Sequence, residues 1–464
     1  MEKYRLSSYA INVPLKRDNK KELFMHGYSG AIDIIDSAIL QFLIENKNML
    51  TLENFPFSNN TWSTLLKRGY ITSKTKDEEH LYVKKMGDLI HKRDKAMHRS
   101  FGFVVSYDCN FRCPYCYEAK ISEHGKCWEK TSFTKENVDK VYSIIESMSI
   151  NKEQQNRKIL LYGGEPFLKE NKAIVEYIVK RGCELGCSFY AISNGYDLEK
   201  YKDLLGPGKI ERIQITVDGW KPYHNKSRIH KDGHETFDKI ISNILLALKR
   251  EVYISVRMNT EGNSFDSCNR LKEHFTEMGF YKFKNFSFYT ALIVDYQKEN
   301  KSEAARQLKY MTRKEFCEKN EQMDLKNNFE DWGLTKRLGN SIKEGHCIPL
   351  TSTPCSAYVG TYIFDPKGNI YTCWESIGKE DAIVGNYSKN EIEWSPMLTK
   401  WHSRNSGKLE KCSRCKYVFL CKGGCVVHAL KKGGNFMSSE CNNYPLMFKI
   451  AANRAYEQYV AEIK

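Results

Sequence analysis

The pattern of apolar and polar positions changes near residue 99, where short elements give way to a longer alternation. Before that point the pattern predicts a strand over residues 22–25, a turn at His26-Gly27 and a helix over residues 31–46. It then predicts a second helix over residues 58–66, ended by Gly69, and a strand over residues 70–72. Short strands mixed with short helices indicate a winged-helix-like α+β module over residues 1–98.

The next part of the chain alternates apolar runs with amphipathic stretches. The runs predict six strands: residues 103–105, 159–161, 189–192, 213–217, 252–256 and 283–288. The stretches between them predict helices: residues 136–148, 172–185, 198–205, 237–248 and 265–278. This order predicts an α/β fold with a parallel sheet, best satisfied by a partial (β/α)6 TIM-like barrel over residues 99–290. Functional groups are then expected after the C-terminal ends of the strands.

The remaining third of the chain is less regular. Residues 291–346 are polar and mostly helical in pattern, so they are expected to bridge two domains. Residues 347–445 are short, turn-rich and dense in cysteine, which predicts a domain organised by bound metal. Residues 446–464 predict a closing helix.

Composition narrows the class of protein. The 464 residues are 41% hydrophobic with a mean hydropathy of -0.58, and no apolar run could span a membrane. The N-terminus is too polar for a secretory signal, so we expect a cytoplasmic protein with reduced thiols. The net charge of +15 is spread along the chain. The charge alone selects no partner and is interpreted as a solvated basic surface, and we predict neither nucleic acid nor membrane as a partner.

The first three of the sixteen cysteines form a compact motif. Cys109, Cys113 and Cys116 follow the first barrel strand with three and two intervening residues. Three thiolates can hold one corner of an iron–sulfur cube and leave one iron open. Zinc is the alternative, but the segment offers only His124 as a distant fourth ligand.

This motif resembles that of radical S-adenosylmethionine (SAM) enzymes, and later strand ends extend the resemblance. Gly163-Gly164-Glu165 is similar to the family segment that holds the methionine amino group of SAM. Ser193 and Thr216 match positions on the ribose side, Arg228 matches the residue at the SAM carboxylate, and Tyr115 matches the aromatic residue beside adenine. The resemblance implies one [4Fe–4S] cluster and SAM as cofactors.

The second cysteine region resembles the SPASM extension of the same enzymes, which implies two auxiliary [4Fe–4S] clusters. One would be held by Cys412, Cys415, Cys421 and Cys441, and the other by Cys355, Cys373 and Cys425. Cys347 either completes the second set or leaves an iron open to a substrate thiolate. A zinc ribbon over residues 412–425 is the alternative. We expect the remaining cysteines to be small buried hydrophobes or incidental thiols: Cys127, Cys183, Cys187, Cys268 and Cys317.

The resemblance implies that a 5′-deoxyadenosyl radical abstracts hydrogen from an unactivated C–H bond, with a flavodoxin- or ferredoxin-type electron donor. Similar enzymes mostly act on peptides or proteins. Sulfatase-maturing members place a proposed base directly after the cysteine that matches Cys373, where this chain has Trp374 and then Glu375. They also begin close to the cluster motif, so both differences argue against formylglycine formation.

Residues 1–98 are similar to the leader-binding modules of ribosomal-peptide maturases, which resemble the peptide chaperone of coenzyme PQQ synthesis. A structural cap or a DNA-binding winged helix is the alternative. We therefore expect a maturase that cross-links a ribosomally made precursor peptide, first by a thioether and second by a carbon–carbon bond, with Glu375 as the base to test. A small-molecule dehydrogenase, an RNA-modifying enzyme and an electron carrier remain alternatives.

Overall fold

The computed structural model describes five stretches of the chain: residues 3–120, 131–148, 158–295, 303–323 and 328–463. His124 and Cys127, which the sequence analysis considered, lie outside these residues. Among the helices of the described stretches, none is both long and apolar enough to cross a membrane.

The chain begins with a small antiparallel sheet and three helices. These elements are β1 (Arg5–Leu6), β2 (Ala10–Pro14), β3 (Lys21–His26), β4 (Ile32–Asp36), α1 (Ser37–Glu45), α2 (Asn59–Lys67), β5 (Ile71–Thr72) and α3 (Lys76–Met97). The sheet order is β2-β3-β4. A core that includes Phe24, Leu43, Trp62 and Tyr70 joins this sheet to α1 and α2.

The helix predicted over residues 31–46 is wrong in its first part. Ile32–Asp36 form strand β4, which pairs antiparallel with β3 so that Ile34 lies opposite Leu23. Helix α1 begins only at Ser37. The isoleucines are spaced as on one helix face, but β-branched residues fit a paired strand well, and cross-strand packing on β3 decides the outcome.

Helix α3 is an element that the sequence pattern did not predict. Thr75 and Glu78 form a capping box at its start. The next residue, Glu79, is fully buried and accepts hydrogen bonds from Ser7 Oγ (2.5 Å) and Arg5 Nη2 (2.6 Å). This buried, paired carboxylate ties α3 to the first residues of the chain.

A parallel sheet with helical crossovers follows. Its elements are β6 (Ser100–Ser106), α4 (Lys135–Ser147), β7 (Lys158–Gly163), α5 (Lys172–Glu184), β8 (Ser188–Ser193), β9 (Ile210–Thr216), α6 (Lys221–Ser227), α7 (Phe237–Lys249), β10 (Tyr253–Thr260), α8 (Asp266–Glu277), β11 (Phe286–Leu292), α9 (Glu303–Arg306), α10 (Arg313–Gln322), β12 (Asn328–Phe329) and α11 (Leu334–Glu344). Strands β6 to β12 are neighbours in chain order and all pair in parallel.

The prediction of an α/β fold with a partial barrel is confirmed. All six predicted strands are present as β6 to β11, and the stretch predicted as a helix over residues 198–205 is the 3-10 helix Leu198–Leu204. Alternate residues of the strands, such as Phe103, Ile213 and Val256, form one large apolar core with residues of the crossover helices.

The last part of the chain extends the same sheet. Its elements are β13 (Thr361–Phe364), β14 (Asn369–Tyr371), β15 (Gly385–Asn386), β16 (Glu393–Trp394), α12 (Pro396–Ser403), α13 (Glu410–Ser413), α14 (Val418–Cys421), α15 (Val426–Lys431) and α16 (Tyr444–Ile463). Strand β13 pairs in parallel with β6. Tyr358, Tyr362 and Phe364 belong to the barrel core, so this region draws apolar support from the barrel as well as from any bound metal.

The N-terminal region packs against the cysteine-rich region. The Tyr9 hydroxyl donates to Ser413 O (2.6 Å), and His80 Nε2 lies 2.9 Å from Ser413 Oγ. In addition, Ile11 and Val13 of strand β2 share an apolar core with Phe448 of α16. The first and last parts of the chain are therefore in contact, although they lie far apart in the sequence.

Candidate functional site

The loop after β6 carries the first three cysteines and is held by the end of β7. Gly164 N donates to Ser106 O (3.0 Å), and Glu165 N donates to Asp108 O (2.9 Å). A Cβ atom on Gly164 would lie 2.4 Å from Asp108 O, so a larger residue would push the two backbones apart. The Gly163-Gly164-Glu165 segment therefore fixes the start of the cysteine loop.

Cys109, Cys113 and Cys116 come together on this loop. Phe111 N donates to Cys109 Sγ (3.3 Å), and Cys116 N donates to Cys113 O (3.1 Å). Burial, the Glu165 carboxylate and the two other thiols raise the pKa of Cys109, and burial likewise raises the pKa of Cys113 and of Cys116. A cationic metal centre would favour the thiolates, so this buried donor set fits an iron–sulfur cluster with one open iron.

Glu165 is buried beside the cysteine loop and accepts three hydrogen bonds from the protein. Its Oε1 accepts from Ser193 Oγ (2.7 Å) and Phe167 N (2.9 Å), and its Oε2 accepts from Asn194 N (2.6 Å). Burial raises the pKa of Glu165 to about 7, although these donors oppose the shift. A cationic partner would stabilise the charged form, so the position fits the ammonium group that the resemblance assigns to it.

The Tyr115 hydroxyl links the cysteine loop to the strands on the far side of the barrel. It donates to Asp218 Oδ2 and accepts from Arg228 Nη1 (3.1 Å) and Asn259 Nδ2 (3.2 Å). Burial raises the pKa of Asp218, while Arg228 and Tyr115 act against the rise. These contacts fix the loop that carries Cys113 and Cys116.

Arg228 and Thr216 lie buried at the same edge of the sheet. Arg228 Nε has no hydrogen-bond partner among the described residues, although the guanidinium lies 5.3 Å from the centre of the Phe111 ring. A buried donor without an acceptor is costly, so a bound carboxylate fits this position. Thr216 ends β9, and the ribose role that the resemblance gives it stays a prediction.

Several members of this network received no role from the sequence. Asn194 follows Ser193 directly and Asp218 lies two positions after Thr216, so both stand beside predicted positions, whereas Asn259 was not singled out. Asn194 Nδ2 donates to Asn110 Oδ1 (2.7 Å), which connects the third strand end to the cysteine loop. The sequence feature that could have identified these residues is a polar residue at or directly after the end of an apolar strand.

Glu118 is another residue that the sequence analysis missed. It follows Cys116 by two positions and is 5% exposed. Burial, with a smaller effect of Glu165, raises the pKa of Glu118 to about 8. Its Oε1 has no hydrogen-bond partner among the residues that the structure describes.

The second cysteine region contains two separate thiol groups. In the first, Cys412, Cys415, Cys421 and Cys441 lie together on the turns around α13 and α14. Burial raises the pKa of Cys421 to about 12, and the other three thiols add to the shift. Four thiols that affect one another in this way fit the closed metal centre that the resemblance implies.

The second thiol group consists of Cys355, Cys373 and Cys425. Burial raises the pKa of Cys355 to about 12 and also raises that of Cys373, with further increases from neighbouring thiols and Glu375. Cys347 is exposed. Its role as a fourth ligand stays a prediction.

Four of the remaining cysteines can be placed in the fold. Cys268 and Cys317 are fully buried and Cys187 is 7% exposed, so these three agree with the expectation of buried hydrophobes. Cys183 is half-buried, and its thiol donates to Gly208 O (3.3 Å).

Glu375 lies beside the Cys355, Cys373 and Cys425 group in a buried chain of charges. Its Oε2 is 3.4 Å from His428 Nε2 and 3.8 Å from Lys431 Nζ, and His428 Nδ1 is 3.5 Å from Glu440 Oε2. Burial lowers the pKa of His428, but Glu375 and Glu440 outweigh it and raise that pKa to about 10. The imidazole is therefore charged at neutral pH and holds the Glu375 carboxylate in place.

Comparison with known proteins agrees with the site. Residues 103–261 match the family model described as the Radical SAM superfamily. The radical SAM cyclopropyl synthase TigE from Paramaledivibacter caminithermalis is 23% identical over 96% of this chain and 94% of its own. A cysteine-type anaerobic sulfatase-maturating enzyme from Clostridium perfringens is 22% identical over 69% of this chain and 86% of its own.

A solved structure extends the likeness to nearly the whole chain. Streptococcus suis SuiB bound to the precursor peptide SuiA superposes with a TM-score of 0.52 and 14% identity, covering 95% of this chain and 99% of the SuiB chain. At this identity the likeness concerns the fold. The match to the Radical SAM superfamily model covers residues 103–261, the part of the chain that carries the cysteine loop and the barrel strands, so this part of the chain is similar to a radical SAM domain.

Proposed function

We propose that this chain is a maturase that modifies a ribosomally made precursor peptide. The observation that carries the proposal is the joining of the radical SAM domain to an N-terminal sheet with three helices and to two further thiol groups. The similar chains include a cyclopropyl synthase, a sulfatase-maturating enzyme and SuiB, whose structure holds a precursor peptide. The names of the last two indicate a protein or peptide as partner, and the proposal extends a peptide substrate to this chain.

The N-terminal sheet supports the binding of a leader peptide. Its order, β2-β3-β4, leaves β4 at one edge, while β2 at the other edge contacts α16 through Asn453 Nδ2 and Pro14 O (3.3 Å). An extended peptide could add to the β4 edge as a further strand. The net charge of +15 would speed association with an acidic leader.

The chain's own residues supply binding and orientation. A [4Fe–4S] cluster on Cys109, Cys113 and Cys116 and a bound SAM would generate the radical that abstracts hydrogen, with auxiliary clusters on the other thiol groups to take up the released electron. Glu165, Ser193, Thr216, Arg228 and Tyr115 would hold SAM. Glu375 would accept the proton that leaves the substrate thiol, and His428 would orient its carboxylate.

The bond formed is proposed as a thioether between a cysteine sulfur and a carbon of the peptide. Two hydrogens leave the peptide, one as an atom and one as a proton, and one electron must be accepted. A carbon–carbon link between side chains is the second candidate. A small-molecule dehydrogenase is less favoured because it would have no use for the β2-β3-β4 sheet.

The test uses reconstituted enzyme, a reductant, SAM and the short peptide encoded beside the gene. We expect 5′-deoxyadenosine and a peptide mass lower by the mass of two hydrogens for each bond. The leader segment added separately should compete with the full precursor. An unchanged peptide mass, with SAM cleaved equally with and without the peptide, would contradict the proposal.

A further inference from the structure

The inner face of the barrel is polar on its β9, β10 and β11 side. The residues that alternate there with the buried apolar ones are Arg212, Gln214, Thr216, Ser255, Arg257, Asn259, Ser287 and Tyr289. Ser287 Oγ donates to Ser255 Oγ (3.2 Å), and Tyr289 OH donates to Gln214 Oε1 (2.8 Å). This side of the barrel interior is therefore suited to bind a polar ligand.

Arg257 occupies the centre of this polar face. Its Cα lies in register with Thr216 on β9 and Tyr289 on β11. Its Nε donates to Asn259 Oδ1 (2.8 Å), and its Nη2 lies 3.4 Å from Glu330 Oε1. These contacts fix the guanidinium close to the end of the strand, where the SAM contacts are expected.

Glu330 is shared between two guanidinium groups. Its Oε2 accepts from Arg313 Nη1 at 3.1 Å, while its Oε1 faces Arg257. The Arg313 side chain is 4% exposed, whereas that of Arg257 is 29% exposed. Two guanidinium groups share this one carboxylate, and Arg257 is the member of the trio that an incoming anion can reach.

Arg257 faces the same space as the reactive groups. Arg257 is linked to the cysteine loop through Asn259, which accepts from Arg257 Nε (2.8 Å) and donates to the Tyr115 hydroxyl (3.2 Å). Tyr115 stands between Cys113 and Cys116 in the loop. An anion held at Arg257 would place the molecule that carries it beside the first cysteine group.

We infer that Arg257 is a specificity-determining residue that pairs with a carboxylate of the substrate peptide and so positions the peptide for hydrogen abstraction. The inference rests on the proposed function for the identity of the substrate. The carboxylate belongs to an acidic side chain or to the peptide C-terminus, and both present the same planar pair of oxygens to a guanidinium.

The experiment measures the binding of three dye-labelled synthetic peptides to the SAM-loaded holoenzyme by fluorescence anisotropy. Each contains one cysteine. The first carries a glutamate and an amidated C-terminus, the second replaces that glutamate by glutamine, and the third has the glutamine with a free C-terminal carboxylate. We expect a peptide with a carboxylate to bind about tenfold more tightly than the uncharged one, as for one charge-assisted ion pair.

The variants Arg257→Gln and Arg257→Lys test the residue, with Arg212→Gln as the matched control on the same face. Arg257→Gln should remove the preference for the carboxylate peptide, Arg257→Lys should keep part of it, and Arg212→Gln should retain it. The third peptide separates a C-terminal from a side-chain carboxylate.

Equal affinity of the wild-type enzyme for all three peptides, or absence of binding, would overturn the inference. A preference that survives Arg257→Gln would overturn it as well. The proposed function fails separately, when the peptide encoded beside the gene keeps its mass in the maturation assay.

Discussion

The two cysteine-bearing regions rest on different kinds of support. The loop with Cys109, Cys113 and Cys116 is fixed by backbone hydrogen bonds from the end of β7 and by the Tyr115 hydroxyl. The region from residue 347 to residue 441 has strands of two to four residues and helices of four to eight. Its turns converge on thiols instead of on a long hydrogen-bonded element.

This difference shows that backbone hydrogen bonds stabilise the first cysteine region, whereas the second depends more on a bound metal centre. A loop anchored on a seven-stranded parallel layer, β6 to β12, can keep its shape before a cluster binds. Short turns around four thiols gain much of their stability when a metal centre links them. We therefore expect changes in the first region to affect SAM chemistry and changes in the second to affect iron content and folding.

The largest expected effect comes from Cys109→Ala, Cys113→Ala and Cys116→Ala together. SAM cleavage should stop, because no iron remains to hold SAM, while the auxiliary iron stays. Iron content should fall from about twelve to about eight atoms per chain if all three centres are [4Fe–4S] cubes. Chromatographic detection of 5′-deoxyadenosine from the triple variant would refute the assignment of the site.

Two matched glycine substitutions separate the regions. In Gly164→Ala the new Cβ would lie 2.4 Å from Asp108 O, and in Gly424→Ala it would lie 2.0 Å from Glu440 O. We expect the first to abolish SAM cleavage with auxiliary iron retained. The second should lose auxiliary iron and retain SAM cleavage. Iron analysis and 5′-deoxyadenosine yield measure both, and identical profiles for the two variants would contradict the proposed division.

The barrel strands could be predicted because each is a short apolar run that ends in a polar or glycine-rich motif. The same logic failed at Ile32–Asp36, where helical spacing and β-branched composition disagree and only the pairing with β3 decides. The sequence pattern did not predict helix α3, because its surface is charged and its capping box was the one local signal of a helix. The pairing of β13 with β6 joins residues far apart in sequence, so local patterns carry no sign of it.

The candidate site divides in the same way. Cysteine spacing and strand-end motifs predict Cys109, Glu165 and Arg228 as site residues, and their roles stay predictions. The Tyr115 to Asn259 contact crosses 144 positions, and no local pattern announces such a bond. The charge chain from Glu375 through His428 to Glu440 was also beyond sequence reasoning, because it depends on how short turns pack around the thiols.

Tyr115→Phe should have the next largest effect. The substitution removes the hydroxyl shared by Asp218, Arg228 and Asn259, which leaves a buried carboxylate with one donor fewer. We expect the affinity for SAM to fall by about tenfold, the scale of a hydrogen bond to a charged group. Equilibrium binding of SAM measures it, with Tyr281→Phe as the control, since Tyr281 is 50% exposed. Equal affinities in the two variants would contradict the role of the hydroxyl.

The smallest expected effect is the pH dependence of SAM binding. Burial raises the pKa of Glu165 to about 7 from its usual value near 4.5, so in the SAM-free enzyme the carboxyl is largely protonated below that pH. Binding of the SAM ammonium group requires the carboxylate. Affinity should therefore fall by about fivefold between pH 7 and pH 6 and level off above pH 7. Glu165→Gln should remove this dependence, and a flat profile in the wild type would contradict it.

The most direct test is electron paramagnetic resonance of anaerobically prepared, reduced enzyme before and after SAM is added. The account predicts a reduced [4Fe–4S] signal that changes when SAM binds, and a triple Cys109, Cys113 and Cys116 alanine variant in which no signal responds to SAM. A wild-type spectrum that SAM leaves unchanged, or a preparation that contains zinc and no iron, would contradict the account.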